Sequence, residues 1–137
     1  MIPNEGMEGK AMFSRQQISD MALELPGACD DTPFASDPSI IVFRHGSSGK
    51  WFGILLKAPG RAVGLAIDEP VDVLNLKCDP LVAFGMMASH PDIIPAYHMN
   101  KQHWVSLRLG GDVPEDVARM LMRMSFDLTC RKPRRRG

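Results

Sequence analysis

The sequence predicts an α+β domain, an antiparallel sheet with helices packed on one face. Three observations carry this. Segments of helical and strand periodicity follow one another in the order helix, strands, helix, strand, helix. Gly46-Ser47-Ser48-Gly49 joins two runs rich in β-branched and aromatic residues, as a hairpin turn does. Asp79-Pro80 leads directly from an alternating run into a helical one. The sheet face away from the helices is expected to be partly open to water.

Residues 1–12 read as a disordered leader, with Gly, Pro, Asn and Glu and no periodicity. A domain over 13–131 follows, then a basic tail over 132–137. Ser14 is the expected N-cap of the first helix, Gln17 completes a capping box, and Phe13 and Ile18 are spaced as a hydrophobic staple. Ile18, Met21, Ala22 and Leu25 form its apolar stripe, and Pro26-Gly27 stops it. Residues 29–38 read as turns. Strands are expected over 39–44 and 50–57, paired as a hairpin. Residues 58–72 show no clear pattern, and 62–67 within them read as an extra strand or a loop around the sheet edge. In 73–78, Leu74, Leu76 and Cys78 point inward, and Asn75 and Lys77 outward. Asp79 caps a helix running to about Ser89, with Pro80 at its first position. Residues 93–102 are a turn-bearing connection. In 103–109, Val105, Leu107 and Leu109 point inward, and Trp104, Ser106 and Arg108 outward. Asp112 and Glu115 suggest a second capping box, before a helix with Val117, Leu121, Met124 and Leu128 at helical spacing.

With 137 residues, 45% hydrophobic and 23% charged, the chain reads as one globular domain. No apolar run approaches the roughly 18 residues a membrane span needs. The first residues lack the basic start and apolar core of a signal peptide. Cys29, Cys78 and Cys130 are far apart and odd in number, which suits reduced thiols and a cytoplasmic location. Formal net charge is zero, yet residues 119–137 carry +6, so the remainder carries −6. Bulk attraction for nucleic acid would therefore sit mainly at the C-terminal end.

The densest cluster of functional side chains is Pro95-Ala96-Tyr97-His98-Met99-Asn100-Lys101-Gln102-His103-Trp104. Lys101 and protonated His98 or His103 suit phosphate, and Tyr97 and Trp104 suit stacking on a base or sugar. The plainer alternative is that Asn100-Lys101 makes a turn, the aromatic rings cover the core, and both His bond backbone groups. His90, His98, His103 and Cys78 lack the short spacings of a zinc site. Asp20, Glu24, Asp30 and Asp31 are sparse for an iron-binding carboxylate edge. Cys78, inward before a helix cap, reads as a small buried residue rather than a nucleophile. No phosphate loop, nucleophile elbow or paired-carboxylate motif is present, so no enzyme and no cofactor is expected.

Leu74-Asn75-Leu76-Lys77-Cys78-Asp79-Pro80 and the 93–104 string together resemble the MmcQ/YjbR family. The likeness extends over roughly 14–131, through Leu25-Pro26-Gly27-Ala28, Pro33-Phe34 and Val113-Pro114. It implies a fold similar to the bacterial frataxin homologue CyaY, and a DNA-binding module with a double-wing mode of contact. On that implication Lys77, Lys101, His103 and Arg108 contact phosphate or base edges, with Tyr97 and Trp104 packing beside them. His98 and Asn100 complete the candidate set. The rival expectation is a small-ligand or protein-interaction domain using the same patch. Residues 58–72, the leader and the Arg-rich tail depart from a compact family member.

Overall fold

The computed structural model describes residues 13–130; the expected leader (1–12) and basic tail (132–137) lie outside the described residues. Helix α1 spans Arg15–Leu23, followed by strands β1 (Ala28–Asp31), β2 (Ile41–His45) and β3 (Trp51–Pro59). A 3-10 turn at Gly60–Val63 leads to β4 (Pro70–Lys77), α2 (Pro80–Ser89), β5 (Ile93–Pro95), β6 (Trp104–Arg108) and α3 (Glu115–Thr129). The six strands form one antiparallel sheet in the order β1-β2-β3-β4-β6-β5. The fold is therefore α+β, as the pattern of elements requires.

Local signals set the first two helices. The Ser14 hydroxyl accepts from Gln17 N, and the Gln17 side chain accepts from Ser14 N at 2.8 Å, closing the capping box. The Asp79 carboxylate accepts from Leu81 N and Val82 N, with Pro80 at the first helical position. The third helix starts differently. Its N-cap is Pro114, which offers no side-chain bond, and the box expected from Asp112 and Glu115 does not form. Asp112 N instead donates to Asp92 Oδ2 at 2.8 Å, and Glu115 pairs with Arg119. Two carboxylates near the start of α3, Glu115 and Asp116, still complement the helix dipole.

The helices cover one face of the sheet. Ile18, Met21, Phe43, Phe52, Leu74, Leu76, Val105, Leu107, Leu121 and Met122 meet there. The inward directions expected for β4 and β6 are the observed ones. The stripe expected on α3 holds for Leu121, which is buried, and for Val117 and Met124, half-buried against the core, but not for Leu128, which is 46% exposed; Ala118, Met122, Ser125, Phe126 and Thr129 complete the buried face. Two of these are polar because they bond the sheet and helix. Ser125 Oγ donates to Phe52 O at 2.5 Å and accepts from Lys77 N at 2.8 Å, bridging β3 and β4 where their ladder stops. Thr129 Oγ1 donates to Ser125 O and meets His45 Nε2, both at 2.8 Å.

The second face is closed, contrary to the expectation of an open one. Val42, Ile54, Leu56, Ala58, Val63 and Val73 form a second core, with Trp51, Tyr97, Met99 and Trp104 packed against it. No helix supplies this cover. Residues 60–65 and 94–104 lie across the face instead, so 62–67 are neither an extra strand nor an edge loop, and the 58–72 segment has another role. It lengthens the β3–β4 pair to Pro59 and Pro70 and then folds its 3-10 turn onto the sheet. The turns expected at 29–38 also hide β1, an edge strand paired with β2 in the register Ala28↔His45 to Asp31↔Val42.

At the far end of the sheet, Arg108 Nε meets Asp92 Oδ1 at 2.8 Å, and Asp92 fills the space beside Gly111 that a β-carbon would occupy. Gly111→Ala is therefore expected to lower stability by about 1–3 kcal/mol through overpacking. Urea unfolding of the variant checks this.

Candidate functional site

Antiparallel pairing brings separate segments to one end of the sheet. The β2–β3 turn, the last residue of β4 and the β5–β6 connection all meet there. The β4–β6 register places Lys77 directly opposite Trp104. Trp51 stands on the neighbouring strand, packed like Trp104 against the second core. Its ring takes the edge of Phe34 at a centroid distance of 6.0 Å, and the Arg44 guanidinium lies 5.6 Å from its centre.

The 96–104 connection is held by a buried polar relay. Asn75 and Ser106, expected outward and exposed, do point to this face but are 1% and 0% exposed. The Ser106 hydroxyl donates to Asn75 Oδ1 and accepts from Tyr97 N at 2.9 Å, while Asn75 Nδ2 donates to Tyr97 O at 2.9 Å. Both backbone groups of Tyr97 are thus satisfied from below. Asn100 Oδ1 accepts from Gln102 N and His103 N, which makes it a turn cap. Lys101 Nζ donates to Ala96 O at 2.7 Å. His98 adopts φ 61°, a left-handed conformation uncommon outside Gly but one that His, like Asn and Asp, takes more often than most residues, with its ring 3.9 Å from that of Tyr97.

Of the eight residues expected in the site, the structure gathers Lys77, Tyr97, His98, Asn100, Lys101, His103 and Trp104 at this end. Arg108 is not among them. It lies at the other end of β6, and its donors go to Asp92, Val63 O and Pro91 O. Sequence reasoning missed Lys50 and Trp51, which the hairpin brings to the same end. The turn signal of 46–49 contained that information, but only strand pairing shows which other ends it joins.

Charge is unevenly paired. Seven of the ten Lys and Arg side chains among the described residues sit within ion-pair distance of a carboxylate. The three that do not are Lys50, Lys77 and Lys101, and all belong to this end of the sheet. The last described residue, Cys130, follows Thr129, which touches His45 at the same end. Burial pushes the Cys78 thiol above its ordinary value, with Asp79 adding to the effect, which disfavours the thiolate. Among the described residues, no three His, Cys, Asp or Glu side chains group as a metal ion would need, and no helix is long and apolar enough to cross a membrane. A separate surface on α2 leaves Leu81 and Phe84 exposed, at 83% and 74%.

An α+β domain with this sheet and this lysine- and tryptophan-bearing end defines the class. The chain belongs to the YjbR family, whose model matches residues 23–128. It is 34% identical to YyaQ of Bacillus subtilis over 86% of this chain and 99% of that one. YbdF of Escherichia coli O157:H7 is 35% identical over 79% and 77% of the two chains. A crystal structure of a Pseudomonas syringae protein superposes with a TM-score of 0.79 at 36% identity, covering 86% of this chain and all of that one. Deinococcus radiodurans DR2400 gives a TM-score of 0.66 at 29% identity, with 86% and 79% covered.

His45 ties this end of the sheet to α3. The Thr129 hydroxyl proton is spent on Ser125 O, so His45 Nε2 is the donor in their bond, as a neutral ring allows. Burial lowers the His45 pKa below its ordinary value of 6.5 and Lys50 adds to this; the Phe126 carbonyl and Asp127 oppose it. The unfolded chain thus binds more protons than the folded one between the two values. Stability is expected to be greatest above pH 6.5 and to fall as pH drops through the folded-state value. In His45→Gln this part of the pH dependence should vanish, as thermal unfolding between pH 5 and about 8 will show.

Proposed function

We propose that the chain is a non-catalytic nucleic-acid-binding module that works through the lysine- and tryptophan-bearing end of its sheet. One observation carries this reading: the three described cations without a carboxylate partner, Lys50, Lys77 and Lys101, all belong to that end, with Lys77 opposite Trp104 and Lys50 next to Trp51 in the chain. A lysine not neutralised within its own protein is available to a phosphate, and binding there releases counterions. Trp51 and Trp104 flank the Lys77 position on adjoining strands, and His103 and His98 are exposed on the connection above. The sequence that follows Cys130 carries further Arg and Lys, whose charge adds non-specific attraction for a polyanion.

This reading assigns the eight expected residues unequal parts. Lys77 and Lys101 contact phosphate, joined by Lys50. Trp104 and Tyr97 pack against sugar or base, with His98 and His103 beside them. Asn100 shapes the turn, and Arg108 braces the scaffold behind it. The acidic remainder of the domain orients the approach by repelling the polyanion elsewhere.

The rival protein-interaction reading rests on Leu81 and Phe84, exposed on an α2 helix without a single charged residue. It predicts a partner whose binding is insensitive to salt and lost in Leu81→Lys/Phe84→Lys.

The deciding measurement is binding of duplex and single-stranded DNA against salt. The chain ending at Cys130 is expected to retain affinity at low salt. Replacing Lys50, Lys77 and Lys101 by Ala should reduce the salt slope by roughly 2–3, close to one per phosphate contact. An unchanged slope in the triple variant sinks this assignment of the surface.

A further inference from the structure

A second feature of the loop-covered face shares Lys101 and Tyr97 with the nucleic-acid reading but concerns a different class of ligand. A groove of about 290 Å³ runs between the 3-10 turn and the β5–β6 connection. Ala62, Val63 and Gly64 form one wall, residues 94–97 the other, and Lys101 completes the lining. The volume is close to the lower bound of about 300 Å³ for small-ligand sites.

Both walls are fixed by buried or half-buried polar contacts rather than by loop packing alone. Arg108 spans them from beneath: it donates through Nη1 to Val63 O, and holds the start of β5 through Asp92 and Pro91 O, each at 2.8 Å. Gly64 turns the first wall with φ 84°. The second wall is pinned where Asn75 and Ser106 take both backbone groups of Tyr97. These contacts hold the walls apart at a set width before any ligand arrives, which lowers the ordering cost of binding.

The lining chemistry is unequal. Val63, Ile94, Pro95 and Ala96 are apolar, Tyr97 adds a ring, and Lys101 is the charged member; none of the described lining residues is acidic. The Lys101 ammonium spends one donor on Ala96 O, at 2.7 Å, and has no carboxylate partner. A lysine has three donors, so two are left for a ligand. We propose that the groove binds a small monoanion with a flat apolar body, an aromatic carboxylate, with its carboxylate on Lys101 and its ring between Val63 and Ile94.

The test uses the full chain, with benzoate as the probe and benzamide as its uncharged counterpart, followed by amide chemical shifts. Benzoate should give saturable shifts at Val63, Gly64, Ala96 and Tyr97. Benzamide on the native chain, and benzoate on Lys101→Met, should each bind about tenfold more weakly, the loss of one charge-assisted hydrogen bond. Ala62→Leu, at an exposed position, should fill the groove and abolish the shifts without unfolding the chain. Absence of saturation, shifts confined to residues outside the groove, or equal binding of benzamide and benzoate would each overturn the assignment. Because benzoate carries no phosphate and no base, its outcome is separate from that of the DNA measurement.

Discussion

A loop laid over a sheet takes its backbone N–H and C=O groups out of water, and each must find a partner inside. Asn75 and Ser106 are the partners that make the second face of this protein possible. They are cross-strand neighbours on β4 and β6, both fully covered, and bonded to each other. One hydroxyl and one carboxamide satisfy Tyr97 on both sides and so fix the path of the 96–104 connection. Everything on that face follows from this path: Trp104 and Tyr97 can pack on the second core, Lys101 reaches back to Ala96, and the groove opposite the 3-10 turn keeps its width. An unsatisfied buried group costs about 1–3 kcal/mol, so neither side chain is replaceable by an apolar one alone.

The other face is closed by helices, and the two closures meet at one end of the sheet. Ser125 inserts its hydroxyl between Phe52 O and Lys77 N, so α3 is hydrogen-bonded into the sheet rather than only resting on it. Lys77 is thus shared. Its amide belongs to the helix side, while the register places it opposite Trp104 on the loop side. His45, buried against Phe52 and Phe126 with ring centroids 5.4 and 4.3 Å away, locks the same corner. The helix side and the loop side of the sheet are thus tied together at the strand end that carries Lys77.

The parts legible in the sequence are those governed by neighbours in the chain. Ser14 with Gln17, and Asp79 with Pro80, are local bonds between local residues, and they start α1 and α2 where expected. The alternation of 73–78 and 103–109 gives the correct inward faces because a strand leaves its side chains no other choice. Parity says where Asn75 and Ser106 point, however, and nothing about what covers them, so residues that look solvated are the most deeply buried polar pair. The β1 strand has two Asp in four residues and no strand signal of its own; pairing with β2 alone makes it a strand. On α3, apolar side chains occur on more than one face. Ser125 and Thr129, with their hydrogen bonds to the sheet and His45, decide which face turns in, and hydropathy ranks both as outward residues. The candidate site was legible only as a dense run of polar and aromatic side chains around 97–104. The convergence of Lys50 and Trp51 on it was not, because that depends on strand order.

The chain contains two tryptophans and one tyrosine, and all three pack against the second core. The helix-covered core holds phenylalanine as its aromatic residue. Intrinsic emission and near-ultraviolet dichroism therefore originate almost wholly from the loop-covered side, while far-ultraviolet dichroism is dominated by the helices on the other. The molecule carries its own pair of optical reporters, one for each side of a single sheet. If the loops peel away before the helices melt, the two signals will part company during unfolding, and the order of events can be read without attaching any dye.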